Sequence, residues 1–178
     1  MLKEVYEKEI VKKLKEAHGY KNTLSVPKLE KVTLNVGFGR LAAEQKAVDA
    51  VKADLAKITG QKPSLREAKK AIASFKIRKG QLIGAKVTLR GKKMWDFVEK
   101  LTRIVLPRVR DFRGIKDTSF DSRGGYTLGF REKTVFPEID YTKADSQIGM
   151  EVTFTTTAKT QAETRSLLEN LGFPFKKV

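Results

Sequence analysis

The chain has 178 residues, no cysteine and one histidine, and sets 37 Lys or Arg against 21 Asp or Glu for a net charge of +16. That length predicts a single domain, 1–178, and 40% apolar residues are enough for a core, which excludes a disordered basic tail. The lack of cysteine excludes disulfides and thiolate metal sites, and no apolar run approaches the length of a membrane span. A charge of this sign directs attention to nucleic acid or an anionic membrane. The opening MLKEVYEKEIVKK is charged throughout rather than signal-like, so a cytoplasmic protein is expected, without a membrane partner.

Leu2, Tyr6, Ile10 and Leu14 recur every four residues with Val11 and Ala17 beside them, which predicts an amphipathic helix stopped at Gly19. The single histidine, His18, sits at that helix end, where positive charge is favourable, and has no partner set for acid–base work. After Val26-Pro27, Val32, Leu34 and Val36 alternate with Lys31, Thr33 and Asn35, the period of a half-buried strand. Val48, Val51, Leu55 and Ile58 then mark a helix closed by Gly60. Between them, Gly37-Phe38-Gly39-Arg40-Leu41-Ala42 fits the G-x-G-x-x-A dinucleotide pattern. A strand with one polar face, and no acidic residue ending a second apolar strand about twenty residues on, argue for a tight turn instead. Gly80-x-x-x-Gly84-x-Lys86 likewise misses the spacing of a phosphate-binding P-loop.

The charge is concentrated. From Lys57 to Lys93, 37 residues hold 12 Lys or Arg and one acid, Glu67, a local charge of +11. Leu65 to Ala71 alternates loosely, and Ile83, Ala85, Val87 and Leu89 alternate cleanly with Gly84, Lys86, Thr88 and Arg90. The two runs predict a basic hairpin with an extended tip, AIASFKIRKGQL, too long for a tight turn. The tip from Ser74 to Gln81 holds Lys76, Arg78 and Lys79 with no acid, and sets Phe75 and Ile77 between them. Cations on a phosphate backbone with the apolar pair against exposed bases or riboses is the functional reading; an apolar pair folded back on the core is the structural one.

Met94, Trp95, Val98, Leu101 and Val105 fall at helical spacing up to Pro107, and this stripe makes Trp95 a core residue rather than a base-stacking one. RVRDFRGIKDTSFDSRGGY follows without periodicity, and its mixed charges leave a functional loop and a solvated connection both open. Tyr126, Leu128 and Phe130 predict a strand, as do Ile148, Met150, Val152 and Phe154. Between them, Glu132 to Gln147 carries four acids, Glu132, Glu138, Asp140 and Asp145, against two lysines. Thr160-x-x-Glu163 reads as a capping box opening a last helix with Leu167, Leu168 and Leu171 inward.

Every strand alternates, so the sheet has one packed and one open face, and helices cover the packed side in a two-layer α+β sandwich, antiparallel or mixed. The open face gathers Lys31, Thr33, Asn35, Lys86, Thr88, Arg90, Thr127, Arg131, Thr153 and Thr155, basic or hydroxylated and without stacking aromatics. Such a face suits phosphates and 2′-hydroxyls of structured RNA rather than unstacked bases. Lys31, Thr33, Asn35, Lys86, Thr88 and Arg90 are the candidate RNA contacts there, with Lys62, Lys69 and Lys70 added from the basic stretch. Duplex DNA is the alternative polyanion, though no helix carries a basic recognition face. An enzyme using the glycine junction is the rival of another class, and no convergent acid–base set supports it. No cofactor is expected.

ITGQKP (58–63), SFKIRKG (74–80), IGAKVTLRG (83–91), LPRVRDFRG (106–114), FPEI (136–139) and GFPF (172–175) resemble the bacterial large-subunit ribosomal protein five family, from the N-terminal helix to the tail. The resemblance implies an antiparallel sheet with helices on one side, similar to RNA-recognition domains. It implies binding of 5S rRNA and part of 23S rRNA among the other proteins of the central protuberance. It also implies contact of the tip, Ser74, Phe75, Lys76, Ile77, Arg78 and Lys79, with peptidyl-site tRNA. A bridge to small-subunit ribosomal protein thirteen is implied as well, for which Arg113, Glu138, Asp140 and Asp145 are the candidates. The chain departs from the family pattern at Ser64 and Arg66 after QKP, at Ser122 and Gly125 where D-G-R-G-N-Y is usual, and at Ile148, where an arginine is common.

Overall fold

The computed structural model describes residues 1–39, 44–139 and 148–176. The N-terminal helix, α1, runs from Leu2–Val5 through a widened π-type turn, Tyr6–Ile10, into Val11–His18. The widened turn explains the spacing of its apolar residues. A strict repeat of four drifts around a helix of 3.6 residues per turn, and a turn bonded i to i+5 takes up the excess. Leu2, Tyr6, Ile10 and Leu14 are all buried as a result. Gly19 ends α1 in the left-handed conformation, φ 66°, as read from the sequence.

Strand β1 is Leu29–Gly37, and helix α2, Gln45–Thr59, buries Val48, Val51, Leu55 and Ile58. Gly60 closes α2 at φ 62°, its N–H donating to the Ala56 carbonyl at 2.8 Å. Strands β2, Ser64–Glu67, and β3, Leu82–Leu89, form the hairpin. Helix α3 begins at Gly91–Lys100, widens over Leu101–Val105 and ends in Leu106–Arg108 with Pro107 in the last turn. Strands β4, Gly125–Phe130, and β5, Met150–Thr156, precede helix α4, Gln161–Asn170. The predicted capping box is present: Thr160 Oγ1 accepts from the Glu163 N–H and Glu163 Oε2 accepts from the Thr160 N–H, each at 3.3 Å.

The five strands form one antiparallel sheet in the order β2-β3-β1-β5-β4. Val32, Leu34 and Val36 on β1, Ala85, Val87 and Leu89 on β3, and Met150, Val152 and Phe154 on β5 are buried toward the helices. The alternating neighbours, buried Gly84 apart, stay half-buried or exposed, so the open face expected from the sequence exists. A dinucleotide fold needs parallel βαβ units, and β1 lies inside an antiparallel sheet, so that reading falls. Residues 40–43 of the G-x-G-x-x-A stretch lie outside the described residues.

The residues group into two compact units, Met1–Val32 with Leu89–Leu128 and Thr153–Val178, and Thr33–Thr88 with Gly129–Val152. In the first, Tyr6 packs its ring against Trp95 at 5.2 Å and donates its hydroxyl to the Pro27 carbonyl at 2.9 Å, so Trp95 is core. Burial, and then the Glu7 charge, push the Tyr6 phenol up to about 12. The Gly124 carbonyl accepts from Thr156 Oγ1 at 2.6 Å and Thr164 Oγ1 at 2.9 Å, tying the loop before β4 to β5 and α4. In the second unit, Lys133 is 5% exposed, and its ammonium donates to Asp54 Oδ2 at 2.6 Å on α2. Val36, Leu55, Ile148 and Met150 line the small apolar cavity beside that pair.

Candidate nucleic-acid interface

The basic hairpin is built in three stages. Ser64 pairs with Lys86, Leu65 with Ala85 and Arg66 with Gly84, and the register then slips so that Glu67 pairs with Leu82. The slip ends β2 earlier than the alternation up to Ala71 predicted. Ala68 turns inward, 6% exposed, and its N–H and C=O bond Gln81 and Gly80 at 2.8 and 2.9 Å. A bulge of this kind re-aims the chain beyond it.

Beyond that neck, Ile72 and Ile77 exchange both backbone hydrogen bonds, at 2.9 and 3.1 Å, and close the tip a second time. Between them lie a single 3-10 turn, Ala73–Phe75, and Lys76 in the left-handed region at φ 54°. The Arg78 N–H donates to Gln81 Oε1 at 3.0 Å and steadies the returning arm. The tip is thus an ordered double-necked loop rather than a floppy connection.

This geometry separates the two apolar tip residues. Phe75 is 70% exposed, standing among exposed Ser74, Lys76, Arg78 and Lys79. Ile77 is half-buried, and its Cδ1 would lie 3.7 Å from a Cβ placed on Gly39, so it packs toward the exit of β1. Sequence reasoning passed over Ile72, which is 45% exposed beside Phe75. The signal was the spacing of five between two β-branched residues around a short turn, the mark of a closing pair.

Lys62, Lys69 and Lys70 are exposed on and below the hairpin. Gln61 donates its amide to the Thr88 carbonyl at 3.2 Å, fixing the turn that carries Lys62 to β3. On the open face of the same unit, Asn35 is exposed and Thr33, Lys86 and Thr88 are half-buried. In the other unit Lys31 is half-buried, and Thr127 and Thr153 share a hydroxyl hydrogen bond at 3.2 Å. Arg90 is exposed, and its guanidinium sits 3.5 Å from a Glu30 carboxylate oxygen, an acid the sequence reading left out. That neighbour neutralises part of Arg90's charge, so Arg90 is the weaker phosphate ligand of the set.

Of the bridge candidates, Arg113 is exposed and belongs to the first unit, while Glu138 is half-buried in the second. Asp140 and Asp145 lie outside the described residues. Among the described residues no cluster of His, Cys, Asp or Glu could hold a metal ion, and no helix is long and apolar enough to cross a membrane.

Comparison with known proteins decides the family. Residues 22–78 match the model described as ribosomal protein L5, and residues 82–175 match the model of the same ribosomal family's C-terminus. This chain belongs to the ribosomal protein L5 family. Large ribosomal subunit protein uL5 of Carboxydothermus hydrogenoformans is 54% identical over 176 residues, 99% of this chain and 98% of its own. The uL5 of Desulforamulus reducens is 55% identical over 177 residues, again 99% and 98% of the two chains. Membership of the L5 family makes the protein a structural, non-enzymatic constituent of the large ribosomal subunit. The L5 models cover the strands and most of the hairpin and tail, and the uL5 relatives match 99% of the chain, so the resemblance read from six short motifs extends over the chain.

Proposed function

We propose that this L5-family chain binds 5S rRNA and helps attach it to 23S rRNA in the central protuberance of the cytoplasmic ribosome. It meets peptidyl-site tRNA through the 74–81 loop and bridges to small-subunit protein thirteen. The observation that carries the proposal is the ordered basic hairpin: Phe75 is 70% exposed on a tip whose cations, Lys76, Arg78 and Lys79, are exposed. A tip fixed at two necks costs little ordering entropy on binding, and exposed cations beside one aromatic match a backbone with an unstacked base or ribose. The open-face hydroxyls, amides and lysines supply contacts to structured RNA that do not require unstacked bases.

The test is equilibrium binding of the full chain to 5S rRNA across a salt series. Each phosphate neutralised steepens the log–log slope by about 0.7 to 0.9, and replacing Lys69, Lys70 and Lys86 with Gln flattens it. A slope near zero for the parent protein removes the electrostatic reading. The acidic stretch from Glu132 onward is repelled by phosphate and so faces a basic protein. Reversing Glu138 and Asp140 to Lys weakens subunit joining and spares 5S rRNA binding; crosslinks from position 140 to rRNA would overturn that assignment.

A further inference from the structure

The C-terminal tail ends the chain's described residues in a short piece of built structure that the hairpin reading does not use. Ile115 and Phe175 form a parallel bridge, with the Ile115 N–H donating to Pro174 at 2.8 Å and the Lys176 N–H donating to Ile115 at 3.1 Å. Ile115 is 2% exposed, and Phe175 stacks on Phe120 at 5.7 Å and meets Tyr126 edge-on at 5.7 Å. The Arg165 guanidinium lies 5.6 Å over Phe175 while pairing with Asp117 at 3.2 Å. Gly114, at φ 100°, makes the approach feasible, because a Cβ there would stand 2.6 Å from the Lys176 nitrogen.

The bridge has a consequence for the next residue on each arm. With Ile115 opposite Phe175 and both turned inward, the period of two turns Lys116 and Lys176 outward, side by side in register. Both are exposed. Their backbones are pinned, the Lys116 carbonyl accepting from the Tyr126 hydroxyl at 3.0 Å and the Lys176 N–H bonded as above. Like charges directly opposite one another destabilise a strand pair. The nearest acid in sequence, Asp117, is committed to Arg165, and neither lysine makes an ion pair among the described residues. Among the described residues nothing offsets that repulsion, in a spot held by the aromatic and backbone contacts around Phe175.

We propose that Lys116 and Lys176 form a phosphate-binding pair for ribosomal RNA, a contact separate from the basic hairpin. Two ammonium groups rooted about 4.8 Å apart, the spacing of neighbouring strands, converge on the oxygens of one backbone phosphate, which removes their mutual repulsion. The clamp supplies what a specific contact needs, since the stems are presented by backbone already fixed before binding. The inference rests on the large-subunit RNA role proposed above, and names a surface that role does not require.

The test uses the full chain with Lys116→Gln, Lys176→Gln and both together, titrated separately with 5S rRNA and 23S rRNA over a salt series. The double variant's log–log slope falls by about 0.7 to 0.9 on one of the two RNAs, while its thermal midpoint is no lower than the parent's. Because the chain has no cysteine, Thr118→Cys carrying a photoreactive group, assembled into large subunits with both lysines intact, gives a second readout. A crosslink to rRNA beside the label supports the pair. An unchanged slope on both RNAs, a crosslink only to protein, or no crosslink at all overturns it. Failure of the parent chain to bind either RNA would instead remove the proposed function, and this inference with it.

Discussion

At the scale of single residues, the Lys133–Asp54 pair is the most exacting local arrangement in the chain. Its ammonium and carboxylate are 2.6 Å apart, with side chains 6% and 18% exposed, so the ammonium above all has little water to fall back on. Removing one partner leaves the other buried and unpaired, which costs about 3 to 5 kcal/mol, whereas replacing both with apolar residues of similar volume is often neutral. Asp54→Ala is therefore expected to lower stability by that amount in urea unfolding, and Lys133→Met with Asp54→Leu to restore most of it. Ile148 lines the same cavity, at a position where the family resemblance leads one to expect an arginine. One carboxylate cannot neutralise two buried cations. Ile148→Arg should thus destabilise the parent protein, and Lys133→Gln should rescue it by leaving the new guanidinium alone with Asp54. Equal damage in both backgrounds would show that Asp54 does not choose between the two positions. None of this was legible from the sequence, where Lys133 and Asp54 stand 79 residues apart in unrelated stretches.

At the scale of elements, legibility followed periodicity. The stripe of α1, the alternation of β1, β3 and β5, the glycine stops of α1 and α2 and the capping box of α4 all rest on near neighbours, and near neighbours are what a sequence displays. The hairpin was readable as basic and extended, but its double neck was not, because the slip after Arg66 depends on a partner strand fifteen residues on. The same limit hid the tail bridge between Ile115 and Phe175. Open-face positions were placed correctly by alternation, yet Arg90's neighbour Glu30 came from a different strand and went unseen. The double neck sharpens what the tip should do when altered. Phe75, at 70% exposure, contributes little to folding, so Phe75→Ala should leave the thermal midpoint unchanged and raise tRNA dissociation from the peptidyl site a few-fold. Ile77 packs toward Gly39, so Ile77→Ala should cost about 1 kcal/mol and speed amide exchange in the tip. Loss of folding with Phe75→Ala would make the tip part of the core, and an unchanged tRNA off-rate would show that Phe75 is idle there.

For the whole molecule, the open question is whether the two compact units fold together. Strands β1, β3, β4 and β5 each begin in one unit and end in the other, so unfolding either unit severs strands of its neighbour. One cooperative transition is the expected behaviour. Alkaline pH loads the unit that begins at Met1 through two buried phenols. Burial, and then the charges of Glu7 and Asp117 respectively, push the phenols of Tyr6 and Tyr126 up to about 12, and both belong to the unit that begins at Met1. A folded-state value above the unfolded value of about 10 means that the folded form holds the proton longer. The stabilisation is therefore complete below pH 10 and is lost as pH rises from about 10 to about 12, on the order of 2 kcal/mol per tyrosine. Trp95 fluorescence reports the unit that begins at Met1, since it is the only tryptophan and packs on Tyr6. Amide exchange of Val51 and Leu55 in α2 reports the other unit. Raising the pH from 9 to 11 should lower the stability seen by both probes together, and Tyr6→Phe should weaken that dependence in both. If alkali shifts the tryptophan transition while α2 amides keep their protection, the two units fold separately and the single-domain reading of the chain fails.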